Sequence, residues 1–352
     1  MHLYEWDLQT LEQWVVERGG ARPHARAIWR ALYREGVTDV SAIPDLPEDL
    51  RERLAAETTL VQPRVLARRE APDGRTRKDL LALGDGARVE VVLLRYRHRA
   101  SGCISTQVGC ACGCSFCATG QMGLVRDLTG GEIVAQVMHL RRELAREGAD
   151  LTNFVLMGMG EPLLNYDHTL AAVRRLTEPR GLGFPPRRIT LSTAGIVPGI
   201  RRLAAEPVPL RLAVSLHAAT DALRSTLMPI NRRYPLAELR AALGDYAAAT
   251  GRRVLLEWVL IAGRNDTLAQ AESLARWIGD LDAHVNLIRL NPTPGSAAQP
   301  SAVAALEMFA AVLDAHSIPH TVRQRRGLDI DAGCGQLAGA VACRDLQAVA
   351  QD

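Results

Sequence analysis

From about residue 85 to residue 315, short apolar runs bounded by turn residues alternate with segments of helical period, and this alternation constrains the fold more than any other property of the chain. The runs cover 103–107, 152–157, 188–191, 210–216, 254–261 and 285–290, and each is of strand length. The helical patterns between and after them cover 132–147, 167–177, 198–205, 236–249, 268–278 and 303–315. Six successive βα units predict an α/β fold with a parallel sheet and right-handed crossovers, either open or curled into a partial barrel. In either case ligands are expected at the C-terminal ends of the strands.

Residues 1–60 read differently. Leu11, Trp14 and Val15 share one helix face, as do Ile28, Trp29, Leu32 and Tyr33, and Pro44 and Pro47 interrupt the pattern before a third helix. Arg22, Arg26, Arg30 and Arg34 recur every four residues, which is either a solvated helix surface or a stripe that faces RNA. The formal net charge of +3 is too small to argue for a nucleic-acid partner by itself. The basic set is nevertheless almost entirely arginine, with Lys78 the sole lysine. Arginine suits phosphate and base stacking better than lysine does, although a GC-rich genome would leave the same bias. A hydrophobic share of 47% supports a sizeable core and excludes a disordered or collagen-like chain. The N-terminal segment has no signal-peptide pattern, and no apolar run reaches the roughly 18 residues of a membrane span. The chain therefore reads as cytoplasmic, with no membrane partner.

Five of the seven cysteines crowd between Cys103 and Cys117, which argues for metal or redox chemistry rather than a disulfide framework. Cys110, Cys114 and Cys117 have the spacing C-x3-C-x2-C. Three thiolates on one short loop suit three corners of a cubane iron–sulfur cluster and leave the fourth iron open to a small molecule. A structural zinc site is the alternative, but it usually takes two separated ligand pairs, and this loop is too compact. Cys112 reads as a bystander. Cys343 lies in a helical stretch and reads as a packing residue.

With Phe116 before its last cysteine, the loop resembles the signature of the radical S-adenosylmethionine (SAM) superfamily. The resemblance implies a [4Fe-4S] cluster held by Cys110, Cys114 and Cys117, SAM on the open iron, and a partial (β/α)6 barrel that agrees with the six units. Further stretches narrow the match: Met157-Gly158-Met159-Gly160-Glu161-Pro162-Leu163-Leu164-Asn165, Leu191-Ser192-Thr193-Ala194-Gly195, Val214-Ser215-Leu216-His217, Met228-Pro229-Ile230-Asn231, Asn291-Pro292-Thr293-Pro294-Gly295, and 329–337 around Cys334. Together they are similar to the RlmN/Cfr family of adenine methyltransferases acting on ribosomal RNA, over nearly the whole chain. The implied organisation is a helical accessory RNA-binding domain (1–60), a β-rich extension (61–95), the radical SAM core (96–330), and a C-terminal loop and tail (331–352) carrying a methyl-accepting cysteine.

The chemistry is consistent with that resemblance. An adenine C–H is neither nucleophilic nor acidic enough to take a methyl group from SAM by displacement, whereas a thiolate is a strong, soft nucleophile. The expected route is methylation of a cysteine, hydrogen abstraction from that methyl, addition to the ring, and release by a second thiol that forms a disulfide. The family pattern implies Cys334 as the methyl carrier, Cys103 as the resolving thiol and Glu90 as the proton acceptor. It implies SAM contacts at Gly160, Glu161, Ser192, Ser215, Leu216, His217 and Asn291, with Glu161 accepting from the SAM ammonium. The basic segments Arg95-Tyr96-Arg97-His98-Arg99 and Arg323-Gln324-Arg325-Arg326 flank the two thiols and suit a folded RNA strand with a splayed base.

The expected function is methylation of carbon 2 of adenine in 23S rRNA, with tRNA as a further substrate left open. The expected enzyme is a monomer that takes electrons from a flavodoxin or ferredoxin. Methylation of carbon 8, as in the Cfr type, fits the same motifs, and a non-catalytic iron–sulfur RNA-binding protein is the alternative from another class. A methylthiotransferase would need a second set of cluster cysteines, which the remaining cysteines do not form.

Overall fold

The computed structural model describes residues 2–293 and 296–338, so Pro294, Gly295 and Cys343 lie outside the described residues. Three helices come first: α1 (Leu8–Glu17), α2 (Arg22–Arg30) and α3 (Glu48–Glu57). Asp7 caps α1 by accepting the Thr10 N–H, and a proline opens α2 where its missing N–H costs nothing. Antiparallel strands follow: β1 (Arg64–Glu70), β2 (Thr76–Ala82), β3 (Arg88–Tyr96) and β4 (Arg99–Cys103). A small hairpin, β5 (Gln107–Gly109) and β6 (Leu124–Asp127), brackets α4 (Ala118–Gln121).

The alternating region is α5 (Gly130–Arg146), β7 (Leu151–Leu156), α6 (Tyr166–Thr177), β8 (Ile189–Thr193), α7 (Val197–Ala204), β9 (Arg211–Ser215), α8 (Asp221–Leu227), α9 (Leu236–Thr250), β10 (Val254–Leu260), α10 (Leu268–Ile278), β11 (Ala283–Arg289), α11 (Val303–Ala315) and β12 (His320–Val322). Apart from α8 and β12, which the periodicity does not predict, its strands and helices lie where it places them, to within about two residues at each end. The longest helix, α5, begins with a reciprocal cap in which Thr129 Oγ1 accepts from Glu132 N and Glu132 Oε2 accepts from Thr129 N. Its buried face includes Ile133, Val137, Leu140 and Leu144, each worth about 1.5–3 kcal/mol when removed from water.

Ten strands form one sheet in the order β1-β2-β3-β4-β7-β8-β9-β10-β11-β12. The pairs from β4 to β12 are all parallel. β12 is a short strand that the sequence pattern does not announce, because three residues carry no readable period. The segment after β12, at one edge, reaches back to the other end of the sheet, where Arg326 Nη1 donates to Arg95 O and Lys78 Nζ donates to Asp331 O. Those contacts are possible only because the sheet curves, and the architecture is a partial (β/α)6 barrel extended by an antiparallel meander, with a small helical unit at the N-terminus.

One boundary differs from expectation. The first barrel strand ends at Cys103 instead of beginning there. The reason is a hairpin: β3 and β4 turn tightly at Arg97-His98, so pairing starts at Tyr96↔Arg99 and has used its strand length by Cys103. The shift moves Cys103 from the closed end of the barrel to its ligand-binding end.

The N-terminal helices join the same hydrophobic core through Trp29, Tyr33 and Tyr4, and Arg141 Nη1 donates to Tyr33 O. The arginine stripe is exposed, yet three members have local partners: Arg26 with Glu12, Arg30 with Glu35, and Arg34 with the carbonyls of Pro179 and Gly181. Among the described residues no helix is long and apolar enough to cross a membrane.

On the outer face of the meander Asp79 is buried and ties β2 to β1 and α5. Its carboxylate takes hydrogen bonds from His139 Nε2 at 2.8 Å and Arg68 Nε at 2.8 Å. Burial opposes ionisation, but the hydrogen bonds from His139 and Arg68 and the charge of Arg77 outweigh it, so the carboxyl lies below its ordinary value. A lowered folded value means that the stabilisation is complete above the unfolded carboxylate range and is lost as pH falls through the folded one. Asp79→Ala is expected to lower the unfolding free energy by about 3 kcal/mol at neutral pH. Denaturant titration measures this, and a midpoint equal to that of the wild type would show that the network contributes nothing.

Candidate active site

Sheet register assembles the first part of the site. Lys78 pairs with Val92, and Val92 pairs with Cys103, so the three occupy one row across β2, β3 and β4. Directly paired residues share a face, and Glu90, two residues before Val92, shares it too. Lys78, Glu90 and Cys103 therefore project from one side of the sheet. Both charged residues are buried, and Lys78 Nζ lies 3.1 Å from Glu90 Oε1.

The loop carrying Cys334 is laid over this face. Its first residue, Asp331, accepts from Lys78 Nζ at 2.9 Å, and Ala338 N donates to Glu90 Oε2 at 2.8 Å. Between these ties, Asn291 Nδ2 donates to Cys334 O at 3.1 Å, and Gln336 joins Gly333 N to Pro292 O. A side chain at position 333 would put its Cβ 2.6 Å from Asn291 Nδ2, so only glycine permits this approach. Asn291, expected to contact SAM, thus has its amide hydrogen-bonded to the Cys334 loop.

Cys334 is reached by solvent, yet protein crowds its thiol as at the wall of a cleft. Burial and the nearby Glu257 carboxylate push it up to about 11. Burial pushes the Cys103 thiol up to about 12, and the Cys334 thiol is near enough to add to the effect. The row shared by Lys78 and Cys103, with the ties of the Cys334 loop to Lys78 and Glu90, brings the two distant cysteines to one face of the sheet. Every described cysteine is a free thiol, so the disulfide expected of Cys103 and Cys334 is not a standing bond of this structure.

The three cysteines of the C-x3-C-x2-C loop lie beside the same cleft. Ala118 N donates to Gly335 O at 2.7 Å and Thr119 Oγ1 bonds to Leu337 O, so the cluster loop and the Cys334 loop are stitched together. Phe116 stands edge-on to the His217 ring at 4.9 Å between centroids, pinning the loop against the end of β9. Burial raises the Cys114 and Cys117 thiols, and each also feels another cysteine of the loop. Cys112 is buried against Cys110, and its thiol and its backbone N–H, 3.5 Å away, donate to the Cys110 sulfur, holding Cys110 below the ordinary thiol value. Among the described residues no three His, Cys, Asp or Glu side chains converge tightly enough to hold a single metal ion. Three soft thiols on one compact loop are the donor set of an iron–sulfur cluster, and these residues fit that group.

The remaining expected residues line the strand ends. Gly160 follows β7 at φ +102°, and a Cβ there would come within 2.6 Å of Gln107 N. Glu161 is buried, with Oε1 accepting from Leu163 N and Oε2 from Ala194 N. Ser192 and Ser215 close β8 and β9. His217 has φ +56°, and its Nδ1 accepts from Val259 N at 3.0 Å. Burial holds its imidazole down at about 3, so it is neutral. Arg224, a buried residue of α8, donates to the carbonyls of Ala194, Ser215 and Leu216 and gathers the ends of β8 and β9.

Residues 104–278 match the radical SAM superfamily. The chain is 51% identical over 348 residues to the dual-specificity RNA methyltransferase RlmN 1 of Myxococcus xanthus, spanning 99% of this chain and 97% of that one. It is 51% identical over 334 residues to a probable dual-specificity RNA methyltransferase RlmN of Moorella thermoacetica, spanning 94% of each. The chain belongs to the RlmN family of radical SAM methyltransferases. A crystal structure of a radical SAM methyltransferase from Sphaerobacter thermophilus superposes with a TM-score of 0.94 at 49% identity, covering 97% of this chain and 100% of that one.

Membership of the RlmN family implies a [4Fe-4S] cluster and SAM, and makes this chain a SAM-dependent radical methyltransferase. Three residues of the site escape sequence reasoning. Arg224 is one arginine among many, Glu257 sits inside an apolar run, and the only sign of Lys78 is that it is the sole lysine. Glu257 is buried beside Cys334 and accepts from Asn286 Nδ2 at 2.8 Å.

Burial pushes the Glu161 carboxyl up to about 7, against the hydrogen bonds from Ala194 and Leu163. In the role of ammonium acceptor that the family resemblance implies, Glu161 would have to be ionised, so binding there would release a proton whenever the pH is below about 7. SAM affinity of the reconstituted enzyme, followed by calorimetry, is expected to fall by up to about tenfold per pH unit below that point. Glu161→Gln should bind weakly with no such slope, and a flat wild-type profile would remove Glu161 as the ammonium partner.

Proposed function

We propose that this enzyme methylates carbon 2 of an adenine in 23S rRNA, and of an adenine in tRNA, through a methylated Cys334. The observation that carries the reading is that the Cys334 loop is tied over the sheet face that bears Cys103 and Glu90 and is also bonded to the C-x3-C-x2-C loop. The relatives' names support RNA as the substrate class. Cys110, Cys114 and Cys117 would hold the cluster, and Gly160, Glu161, Ser192, Ser215, Leu216, His217 and Asn291 would surround SAM. When bound, the cluster and SAM supply the methyl group, a hydrogen-abstracting 5′-deoxyadenosyl radical, and an acceptor for one returning electron.

The protein's own residues do the rest. Cys334 holds the methyl carbon against the ring and becomes joined to carbon 2 through it. The Glu90 carboxylate takes the proton from carbon 2. The Cys103 thiolate then attacks Cys334 Sγ: the S–S bond forms, the S–C bond breaks, and its electron pair goes to the carbon, which takes up a proton to become the methyl group. A cellular dithiol returns the disulfide to two thiols. Because both thiols are raised by burial, they stay protonated at neutral pH until a step draws the proton away.

RNA is proposed to lie over the mouth of the cleft. At the hairpin that joins β3 to β4, at the other end of β4 from Cys103, the guanidinium carbons of Arg99 and Arg326 lie 4.4 and 4.5 Å from the Tyr96 ring centroid. The two basic segments that flank the redox thiols therefore meet at one surface suited to phosphate and unstacked bases. The helices of residues 1–60 are proposed as an accessory RNA contact. The electron donor is proposed to be a flavodoxin or ferredoxin, and the enzyme to act as a monomer in the cytoplasm.

Anaerobic reaction of the reconstituted enzyme with rRNA fragments and with tRNA, followed by nucleoside mass spectrometry, is expected to yield 2-methyladenosine. A product that is only 8-methyladenosine would overturn the assigned carbon, and absence of SAM cleavage would leave an RNA-binding iron–sulfur protein. Cys103→Ala is expected to accumulate a covalent protein–RNA adduct visible on denaturing gels, and free methylated RNA at the normal yield would contradict its role.

A further inference from the structure

We infer that Lys78 is a positioning residue that holds Glu90 Oε1 and leaves Glu90 Oε2 as the oxygen that takes the proton, while tethering the Cys334 loop above it. The inference rests on the proposed function, which makes Glu90 the proton acceptor, and extends it to a residue that the motifs do not assign.

Three observations carry it. The Lys78 ammonium is buried and touches two oxygens, Glu90 Oε1 at 3.1 Å and the Asp331 carbonyl at 2.9 Å. The other carboxylate oxygen of Glu90 accepts from Ala338 N at 2.8 Å. The two ends of the segment that carries Cys334 are therefore fastened to the two members of one ion pair. The Asp331 backbone is in the left-handed region at φ +52°, uncommon for a non-glycine residue, and Gly327 packs so closely on β2 that a Cβ would lie 2.7 Å from Thr76.

The identity of the cation matters as much as its place. Every other cationic Lys/Arg side chain in the molecule is arginine. A guanidinium beside a carboxylate favours the bidentate fork, which would occupy both oxygens. An ammonium is a compact point charge with three donors, so it can bind one carboxylate oxygen and one carbonyl at the same time. Oε2 is then kept out of the ion pair, and Ala338 N donates to it. Lys78 thereby keeps Oε1 and the Asp331 end of the loop in register.

The test uses full-length reconstituted enzyme and separates two half-reactions. Lys78→Met and Lys78→Arg are each scored for iron content, for methylation of Cys334 by SAM without RNA (peptide mass spectrometry), and for adduct and 2-methyladenosine with an rRNA fragment. Both variants are expected to keep the cluster and the methylated cysteine, to accumulate protein–RNA adduct, and to form product about 100-fold more slowly. Arginine should fail to rescue although it keeps the charge. Release of product at the wild-type rate by Lys78→Arg would overturn the inference. So would a loss of iron and of cysteine methylation in step with product and without adduct, which is the mark of a merely structural residue. Wild-type enzyme assayed alongside separates the failures: methylated adenine from the wild type with normal turnover in both variants overturns the role of Lys78 alone, whereas no methylated adenine from the wild type overturns the functional reading itself.

Discussion

Parallel strands all end on the same side of their sheet, and that constraint decides where this molecule can do chemistry. Each crossover helix returns the chain to the start of the next strand, so the loops at the C-terminal edge are free to carry function. The cluster loop, the Met157–Asn165 segment, the ends of β8 and β9, and Asn291 beyond β11 all lie at that edge. The antiparallel meander extends the same sheet on one side, and its hairpin brings Cys103 to the edge as well. Residues more than 200 positions apart thus share a cleft because the sheet curves far enough for the segment after β12 to touch β2.

Placing charges in such a cleft has a cost. A buried ion pair is stabilising only when its remaining donors and acceptors are satisfied, because both ions lose their water. Lys78 and Glu90 meet that requirement by borrowing backbone groups from the Cys334 loop, and the loop in turn gains two fixed ends. The same arrangement that relieves the buried charges therefore orders the segment bearing Cys334. Removal of either member would leave the other buried without its counter-charge as well as loosening the loop.

Burial acts on the thiols in the opposite sense. Cys103 and Cys334 are held well above their ordinary values, which keeps them as unreactive thiols in a cleft that solvent can reach. Ready thiolates so close together would be open to oxidation between turnovers. The raised values fit the roles proposed for the two cysteines, whose bond would form only as one step of a cycle.

Much of this was legible in the residues themselves. Apolar period and turn residues located the six βα units because each strand is buried and each helix amphipathic, and both properties leave a pattern along the chain. Cys110, Cys114 and Cys117 were legible because ligands on one loop keep their spacing in sequence. The strand boundary at Cys103 was not, since it depends on where a hairpin exhausts its pairing. The partnership of Lys78 with Glu90, the closeness of Glu257 to Cys334, and the role of Arg224 in gathering strand ends were not legible either. Local period and spacing are properties of neighbours in the chain, so the sequence by itself determined the elements and the cluster loop. Which distant side chains share a face is set by sheet register and curvature, and only the tertiary structure decided that.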